Sequence, residues 1–330
     1  MRQLASIQKI TNLLPIPKAD NLELASILGW KVVVKKGEFK IGDLVVYCEI
    51  DTVLPDKPDF DFLRNKNFRI KTVKLRGEIS QGICFPTSIL PLGFDVVEGK
   101  ECTEEIGASK YEPPLPACLN GKVKGRFPSF IIKTDETRVQ VQQDKLDYYK
   151  GMECYISEKL DGSSVTYYFN RGEFGVCTRN IELLEDETNF LWQFANDNEL
   201  KSKLESFGYN IAIQGELIGE GIQSNKLNIK GKTVRFFSVF DIDKYSYYDF
   251  DNFKYLFNKF DLSIVPIIST DYKLSNNIDD IIEMATIKSL ILDTVWAEGI
   301  VIRPLAERND SNNRLSIKAI NPKFLLKHNN

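Results

Sequence analysis

The sequence predicts an α+β protein in which a small all-β barrel precedes a larger domain of mixed strands and helices. Residues 1 to about 100 contain short runs of valine, isoleucine and aromatic residues separated by turn residues, which is typical of a small barrel. The rest of the chain adds three stretches with helix-compatible apolar spacing, at residues 181–207, 251–260 and 278–292. With 330 residues, the chain is long enough for both domains.

The strongest strand signals of the first domain are valine-rich or basic runs at residues 29–34, 42–48 and 68–76. An OB-like barrel fits this pattern. We expect this barrel over residues 1–105, a linker over residues 106–125 and the second domain over residues 126–330. The linker contains the proline-rich run Tyr-Glu-Pro-Pro-Leu-Pro, which should be stiff and extended.

Basic residues concentrate at residues 64–76, where six basic side chains occur without an acidic one. As a strand, this stretch would either follow the phosphates of a nucleic acid or form an ordinary solvated face. A second basic cluster lies at residues 122–126, near the proposed domain junction. The net charge of −3 neither supports nor excludes nucleic-acid binding, because exposed charges are screened beyond about 10 Å.

The most informative motif is Lys-Leu-Asp-Gly at residues 159–162, where a strand is expected to turn. It offers the amine of Lys159 and, two residues on, the carboxylate of Asp161. Alone the pattern is weak, because exposed lysine–aspartate pairs are common and contribute about 0–1 kcal/mol. An ordered set follows it: Cys-Thr-Arg at 177–179, Gly-Glu-Leu at 215–217, Phe-Phe-Ser-Val-Phe-Asp at 236–241, Glu-Gly-Ile-Val-Ile-Arg at 298–303 and Ser-Ile-Lys at 316–318.

This order and spacing resemble motifs I, Ia, III, IIIa, IV and V of the covalent nucleotidyltransferases, which include ATP-dependent ligases and messenger RNA capping enzymes. Two further runs are similar to RNA ligase signatures: Gly-Glu-Leu-Ile-Gly-Glu-Gly-Ile-Gln at residues 215–223 and Lys-Thr-Asp-Glu-Thr-Arg-Val-Gln at residues 133–140. With an amino-terminal OB-like domain, almost the whole chain resembles RNA ligase family 5. The resemblance implies an antiparallel-sheet, ATP-grasp-like nucleotidyltransferase domain.

The resemblance also implies ATP and a divalent cation, Mg²⁺ or Mn²⁺, as cofactors. The amine of Lys159 must lose its proton to attack the α-phosphorus, and a divalent cation together with Arg179 and Lys318 is expected to lower its pKa. Lys318 is expected to contact the α-phosphate. Arg179 is expected to contact the ribose or the phosphates, and Arg138 is expected to contact the β- or γ-phosphate. Asp161, Glu216 and Glu298 are expected to line the nucleotide site and bind the metal through water.

For the purine, Phe240 is the first choice as the stacking ring and Phe236 the second, because strand alternation would put both on one face. Core packing is the alternative for both rings. Glu158 is expected to accept a hydrogen bond from the adenine amine, which would select ATP over GTP. Residues 133–138 also fit a helix start capped by Thr134, and such a helix can still deliver Arg138.

The function implied is ATP-dependent joining of RNA 3′-hydroxyl and 5′-phosphate ends, through lysyl-AMP and RNA-adenylate, with nick sealing in RNA repair. Nicked duplex or broken RNA ends are the expected partners, and we expect a monomer. A DNA ligase or capping guanylyltransferase is disfavoured by residues 215–223 and by the short stretch after Lys318. A catalytically inactive nucleic-acid-binding OB protein is disfavoured because every expected charged position is filled.

Histidine and cysteine usage narrows the chemistry further. The single histidine, His328, argues against histidine-based acid–base catalysis and a histidine-rich zinc site. Six cysteines show no close metal-ligand spacing, and no signal peptide or membrane-spanning run is visible. We therefore expect a reduced, intracellular protein, located in the cytoplasm and without a membrane partner.

Overall fold

The structure is a computed structural model that describes residues 3–112, 122–134, 136–308 and 314–328. It divides into two compact units. The first comprises Met1–Pro113, Val139–Gln143 and Pro322–Asn330, and the second comprises Pro114–Arg138 and Asp144–Asn321. Most of the proline-rich run, residues 113–116, lies outside the described residues. The domain boundaries expected from the sequence therefore stay a prediction.

The first unit is built from short antiparallel strands: β1 (Ala5–Lys9), β2 (Asn12–Pro15), β3 (Leu22–Ile27), β4 (Trp30–Lys35), β5 (Leu44–Cys48), β6 (Thr52–Val53), β7 (Val73–Leu75), β8 (Glu78–Ser80), β9 (Ile83–Pro86) and β10 (Ser109–Lys110). They form two three-stranded sheets, β1-β5-β9 and β2-β3-β4, and two strand pairs, β6–β10 and β7–β8. This unit also contains a short helix, α1 (Thr103–Ile106).

Two of the three strand predictions for this unit are confirmed, as β4 and β5. In β4 the alternation buries Trp30, Val32 and Val34 while the lysines stay outside. The third prediction, at residues 68–76, is wrong for most of its length. A 3-10 helix over Pro58–Lys66 precedes this stretch. Within the stretch, only the three residues of β7 belong to a strand ladder.

The second unit contains a seven-stranded and a five-stranded sheet. Its strands are β11 (Val123–Arg126), β12 (Thr137–Arg138), β13 (Glu153–Lys159), β14 (Ser163–Asn170), β15 (Glu173–Thr178), β16 (Ile181–Leu183), β17 (Ile211–Gly219), β18 (Lys232–Asp241), β19 (Ser246–Tyr247), β20 (Ile267–Lys273), β21 (Gly299–Pro304) and β22 (Ile317–Ile320). The strand orders are β11-β16-β15-β14-β17-β18-β19 and β12-β22-β21-β13-β20. All pairs are antiparallel except β12–β22.

The remaining helices are α2 (Gln143–Tyr148), α3 (Phe190–Asp197), α4 (Leu200–Glu205), α5 (Phe250–Lys259), α6 (Ile278–Met284) and α7 (Pro322–His328). The helix predicted at residues 251–260 is confirmed as α5. The long helix predicted at residues 181–207 is wrong at its start, because residues 181–183 pair with neighbouring strands as β16. The helix predicted at residues 278–292 ends at Met284. Within the described ranges, no helix is long and apolar enough to cross a membrane.

The predicted helix start at residues 133–138 is also wrong. Thr137 and Arg138 are extended and pair in parallel with Ile317 and Lys318. Local capping chemistry favoured a helix, but pairing with a strand nearly two hundred residues away determines the conformation here. Residue 135, which the capped helix would include, lies outside the described residues.

Candidate active site

Lys159 ends β13, the strand between β20 and β21 in the five-stranded sheet. Its register partner on β21 is Gly299, so the residue before that glycine lies beside the lysine. This residue is Glu298, and its Oε2 accepts a hydrogen bond from Lys159 Nζ at 2.6 Å. Both side chains are largely buried. The amine of Lys159, at the end of β13, thus forms an ion pair with Glu298, the first residue of the Glu-Gly-Ile-Val-Ile-Arg motif.

Glu216 lies at the same site because the turn after Lys159 packs against β17. Ser164, at the start of β14, pairs with Glu216 on β17. The turn comes so close to β17 that a Cβ at Gly162 would collide with the carbonyl of Leu217 and the side chain of Glu216. The glycine of the Lys-Leu-Asp-Gly motif is therefore a packing requirement, since any other residue would push the two carboxylate segments apart.

The electrostatics around Lys159 are dominated by carboxylates. Burial alone would lower its pKa, but the charges of Glu298, Glu216 and Asp161 outweigh burial and raise it. Burial and the neighbouring carboxylates raise the pKa of Glu216 to about 8, although Lys159 acts in the opposite direction. Without a bound cation, the carboxylates therefore raise the pKa of Lys159, and the lowered pKa expected with a divalent cation bound stays a prediction.

These carboxylates fit a hydrated divalent cation. Asp161, Glu216 and Glu298 offer hard oxygen donors from three chain segments, and a cation beside them would oppose the burial and mutual repulsion that raise the pKa values of Glu216 and Glu298. Among the described residues, no three histidine, cysteine or acidic side chains come together as a direct cage for a metal ion. The arrangement suits contacts through water, as magnesium and similar cations often use.

Lys318 and Arg138 are brought together on the other side of β21. Lys318 pairs with Val301 on β21 and, in parallel register, with Arg138 on β12. Its positive charge contributes to the lowered pKa of Glu136 and acts against the burial that raises the pKa of Glu298. Two of the cations expected at the phosphates are thus neighbours across one strand pair.

Glu158 and Arg179 have different surroundings. Glu158 is buried, and its Oε2 accepts a hydrogen bond from the backbone amide of Leu290 at 2.8 Å. Burial raises the pKa of Glu158, although hydrogen bonds from Ser289 and Leu290 act against it. Arg179 is exposed directly after β15. Its role at the ribose or phosphates stays a prediction.

The expectation that Phe236 and Phe240 share a face of β18 is wrong. The pairing of β17 with β18 shifts between Gln214 and Gly215, whose partners are Ser238 and Phe236, so Phe237 is an extra residue in the ladder. Phe236 stacks on Phe257 in the main core at 4.8 Å between ring centroids. Phe240 belongs to another cluster and is fully buried.

Phe237 is an aromatic side chain that the sequence reasoning missed. It is only partly buried and packs against a small apolar cluster that contains Leu160, the residue directly after Lys159. Val265 and Ile291 belong to the same cluster. Phe237 therefore lies in a different cluster from Phe240, and its cluster includes the neighbour of the lysine in sequence. The doubled Phe-Phe at the start of the motif was the available signal, because either ring could have faced the site.

Arg303 was also missed as a site residue, although its motif was recognised. It is almost fully buried and donates to Glu136 Oε1 at 2.6 Å, to the carbonyl of Phe237 at 2.7 Å and to Ser316 Oγ at 3.0 Å. One guanidinium thus joins the bulge of β18, the residue before Lys318's strand and the segment before Arg138. An arginine suits this role because its donors are fixed in one plane.

The basic stretch at residues 64–76, which belongs to the first unit, is partly neutralised by acids from elsewhere. Arg64 bonds to Asp56 and Asp61, and Arg69 bonds to Asp51 at 2.8 Å. Burial, followed by the charges of Arg69 and Lys66, lowers the pKa of Lys71. These ion pairs leave four basic residues of the stretch as the local excess of positive charge: Lys66, Lys71, Lys74 and Arg76. In the second basic cluster, Lys124 similarly bonds to Glu182 at 2.9 Å.

The motif positions and the two-sheet fold define a ligase of the covalent nucleotidyltransferase type. The RNA ligase family model matches residues 152–320, and an OB-fold domain model matches residues 4–87. The chain belongs to the RNA ligase family. No curated protein sequence matches the chain.

Solved structures of an RNA ligase from Naegleria gruberi are similar over the whole length. A lysine-to-alanine variant solved with ATP and Mn shares 36% identity, with 99% of each chain covered and a TM-score of 0.92. The Naegleria ligase solved with pyrophosphate has the same identity and TM-score and covers 100% of this chain and 99% of its own. A glutamate-to-alanine variant solved with AMP and Mn matches equally well, at 36% identity, 99% coverage of each chain and a TM-score of 0.92.

Proposed function

We propose that this protein is an ATP-dependent RNA ligase that joins RNA 3′-hydroxyl and 5′-phosphate ends through a lysyl-AMP intermediate on Lys159. The observation that carries the proposal is the 2.6 Å ion pair between Lys159 and Glu298, with Glu216 and Asp161 close enough to shift the lysine pKa. An amine among carboxylates matches a nucleophile that works beside a cation–phosphate complex.

The chemistry would proceed in three balanced transfers. The Nζ of Lys159 gives a proton to Glu298 Oε2 and bonds to the α-phosphorus of ATP while the bond to the bridging oxygen breaks, releasing pyrophosphate. A 5′-phosphate oxygen of the RNA then takes the adenylyl group as the P–N bond breaks, and the amine regains its proton. Finally the 3′-hydroxyl, which loses its proton to water, attacks that 5′-phosphorus, and AMP leaves.

The charged residues divide these tasks by position. Lys318 and Arg138, neighbours across β12 and β22, would contact the α-phosphate and the outer phosphates. Asp161, Glu216 and Glu298 would hold Mg²⁺ or Mn²⁺ through water. A bound divalent cation supplies positive charge that neutralises these carboxylates and the phosphates. The Naegleria structures with ATP and Mn, with AMP and Mn and with pyrophosphate support this ligand set.

We assign the purine to Phe237. Its side chain is partly exposed and packs against the cluster that contains Leu160, whereas Phe240 is fully buried in another cluster. Glu158 keeps one carboxylate oxygen on the amide of Leu290, and its other oxygen would accept the adenine amine.

The test is incubation of purified protein with ATP labelled at the α-phosphate and Mg²⁺ or Mn²⁺, beside Lys159→Ala and beside labelled GTP. The proposal predicts label that survives denaturation on the native chain with ATP, with none on Lys159→Ala. Sealing of nicked duplexes containing RNA or DNA on each strand then identifies the substrate. A covalent adduct only with GTP would indicate a capping enzyme, and the absence of any adduct would indicate a nucleic-acid-binding protein.

The finer biological role belongs to the same proposal. We infer nick sealing or rejoining of broken RNA ends in RNA repair, by a monomer in the cytoplasm. The five described cysteines, Cys48, Cys84, Cys102, Cys154 and Cys177, form no disulfide, which is compatible with a reducing compartment. Light scattering of the purified protein would test the monomer.

A further inference from the structure

Lys226 makes a second ion pair at the site, with the aspartate of the Lys-Leu-Asp-Gly motif. Its Nζ donates to Asp161 Oδ2 at 2.5 Å and to the carbonyl of Gln223 at 2.9 Å. Each charged side chain is 19% exposed, so water weakens their attraction less than at an open surface. This lysine belongs to none of the motifs that predicted the site.

The segment that carries Lys226, residues 220–231, connects β17 to β18 and has an unusual backbone. Gln223, Ser224 and Asn225 all have left-handed backbones, with φ of 43°, 62° and 44°. Consecutive left-handed residues other than glycine require support from their surroundings. Asn225 supplies it, because its side chain both donates to the carbonyl of Ile229 at 2.9 Å and accepts from its amide at 3.0 Å.

Apolar contacts anchor the same segment beside the nucleophile. Leu227 and Ile229 pack against Leu160 and Ile218, which follow Lys159 and Glu216 by one and two residues. These contacts place the Cα of Lys226 close enough for its ammonium to bond to Asp161 in a partly buried position.

The two ion pairs divide the site carboxylates between two lysines. Lys159 forms an ion pair with Glu298, and Lys226 forms an ion pair with Asp161. A hydrated divalent cation prefers the same oxygens and is repelled by an ammonium beside them. We propose that Lys226 competes with the divalent cation for Asp161 and so sets the affinity of the site for metal. This inference rests on the proposed function, which assigns Asp161 to the metal.

Competition has a consequence for the order of binding. Without nucleotide, a cation must displace Lys226 from Asp161 and leaves the ammonium with no new partner. When ATP binds, its triphosphate offers oxygens to both the cation and the displaced ammonium. Lys226 therefore disfavours metal binding without ATP. The residue regulates the site and takes no part in bond making.

The test measures Mn²⁺ affinity without nucleotide, from the free-Mn²⁺ signal in electron paramagnetic resonance. Lys226→Met is expected to bind Mn²⁺ roughly three- to tenfold more tightly than the native protein. Lys226→Arg, which keeps the charge, should retain the native affinity. Lys254→Met, the same change at an exposed lysine on α5, should do so too. In an Asp161→Asn background, the effect of Lys226→Met should disappear.

Unchanged or weaker Mn²⁺ binding by a folded Lys226→Met protein would overturn the inference, because it would make Lys226 a neutral or supporting neighbour of Asp161. An effect that persisted without Asp161 would overturn it as well. ATP labelling of the native protein separates this failure from that of the proposed function. If the native protein forms the AMP adduct but Lys226→Met leaves the Mn²⁺ affinity unchanged, only the role of Lys226 is wrong. If the Mn²⁺ affinity changes but no AMP adduct forms, the proposed ligase function is wrong.

Discussion

Arg303 Nη2 donates to Glu136 Oε1 at 2.6 Å, and this buried ion pair ties β21 to the segment that leads into Arg138. The charges of Arg303 and Lys318 outweigh burial and lower the pKa of Glu136 from 4.5 to about 2. The pair therefore stabilises the folded state and, at the same time, fixes a cation expected at the phosphates.

The first prediction concerns the pH dependence of that stability. Because the folded pKa of Glu136 is depressed, its contribution is complete above about pH 4.5 and is lost as pH falls towards 2. Glu136→Gln should reduce the free energy of unfolding by about 3 kcal/mol at pH 7. The difference from the native protein should shrink below about pH 4.5, as measured by urea unfolding at several pH values.

The matched control is Glu283→Gln, which changes an exposed carboxylate on α6. It should leave stability unchanged within about 0.5 kcal/mol at every pH. A cost of Glu136→Gln that stayed constant down to pH 3 would mean that the carboxylate charge is not what stabilises the fold.

The second prediction separates the two phenylalanines of β18. Phe240→Ala should cost about 3–5 kcal/mol of stability, because the ring is fully buried. Phe237→Ala should cost less stability but raise the ATP concentration needed for half-maximal adduct formation by roughly tenfold, through loss of about 1–3 kcal/mol of base stacking. Thermal melting and labelling at varied ATP concentrations measure the two effects.

Phe237→Tyr keeps the aromatic face and should behave almost as the native protein. If Phe237→Ala retained native ATP dependence while a folded Phe240 variant lost it, the assignment of the purine to Phe237 would be wrong.

The third prediction concerns the turn after the nucleophile. Gly162→Ala places a methyl group against Leu217 and Glu216, so it should displace β17 from Lys159. We expect a loss of about 1–3 kcal/mol in stability and at least about tenfold slower adduct formation. Gly125→Ala is the control, since a Cβ there would meet open space. Equal behaviour of the two variants would contradict the close approach.

The fourth prediction concerns the basic stretch of the first unit. Lys66 and Lys71 are expected to contact RNA phosphates, because Arg64 is bound by Asp56 and Asp61. Replacing both lysines with glutamine should reduce the slope of log affinity against log salt by about two, roughly one per lost phosphate contact. Arg64→Gln is the control and should leave the slope unchanged. Filter binding of RNA at several salt concentrations measures it, and equal slopes for both variants would exclude this surface.

The sequence predicted those features that depend on local pattern and motif order. The strand that ends at Lys159 was predicted as a segment that leads directly into a turn, and β13 confirms it. The segments carrying Glu216, Glu298 and Lys318 were recognised by their order, and the structure brings them close to Lys159 or to one another. The proposed chemistry requires carboxylates and cations at these positions, so each motif could be recognised from its residue types.

The errors share a physical cause, which is that partners distant in sequence determined the outcome. The bulge that separates Phe236 from Phe240 arises from pairing with β17, and no local period reveals it. The acid that neutralises Arg69 is Asp51, eighteen positions earlier and outside the basic stretch. Lys226 was invisible for the same reason, because its importance comes from contact with Asp161, sixty-five positions earlier.

The central position of β13 has a consequence for synthesis of the protein. Both neighbours of the lysine's strand, β20 and β21, are translated more than a hundred residues after it. Until they emerge from the ribosome, both edges of β13 lack their native partners, and sheet pairing over such distances forms slowly. A prematurely terminated chain that ends before β20 therefore carries the nucleophile without the sheet that orients it, so abortive translation products should consume no ATP.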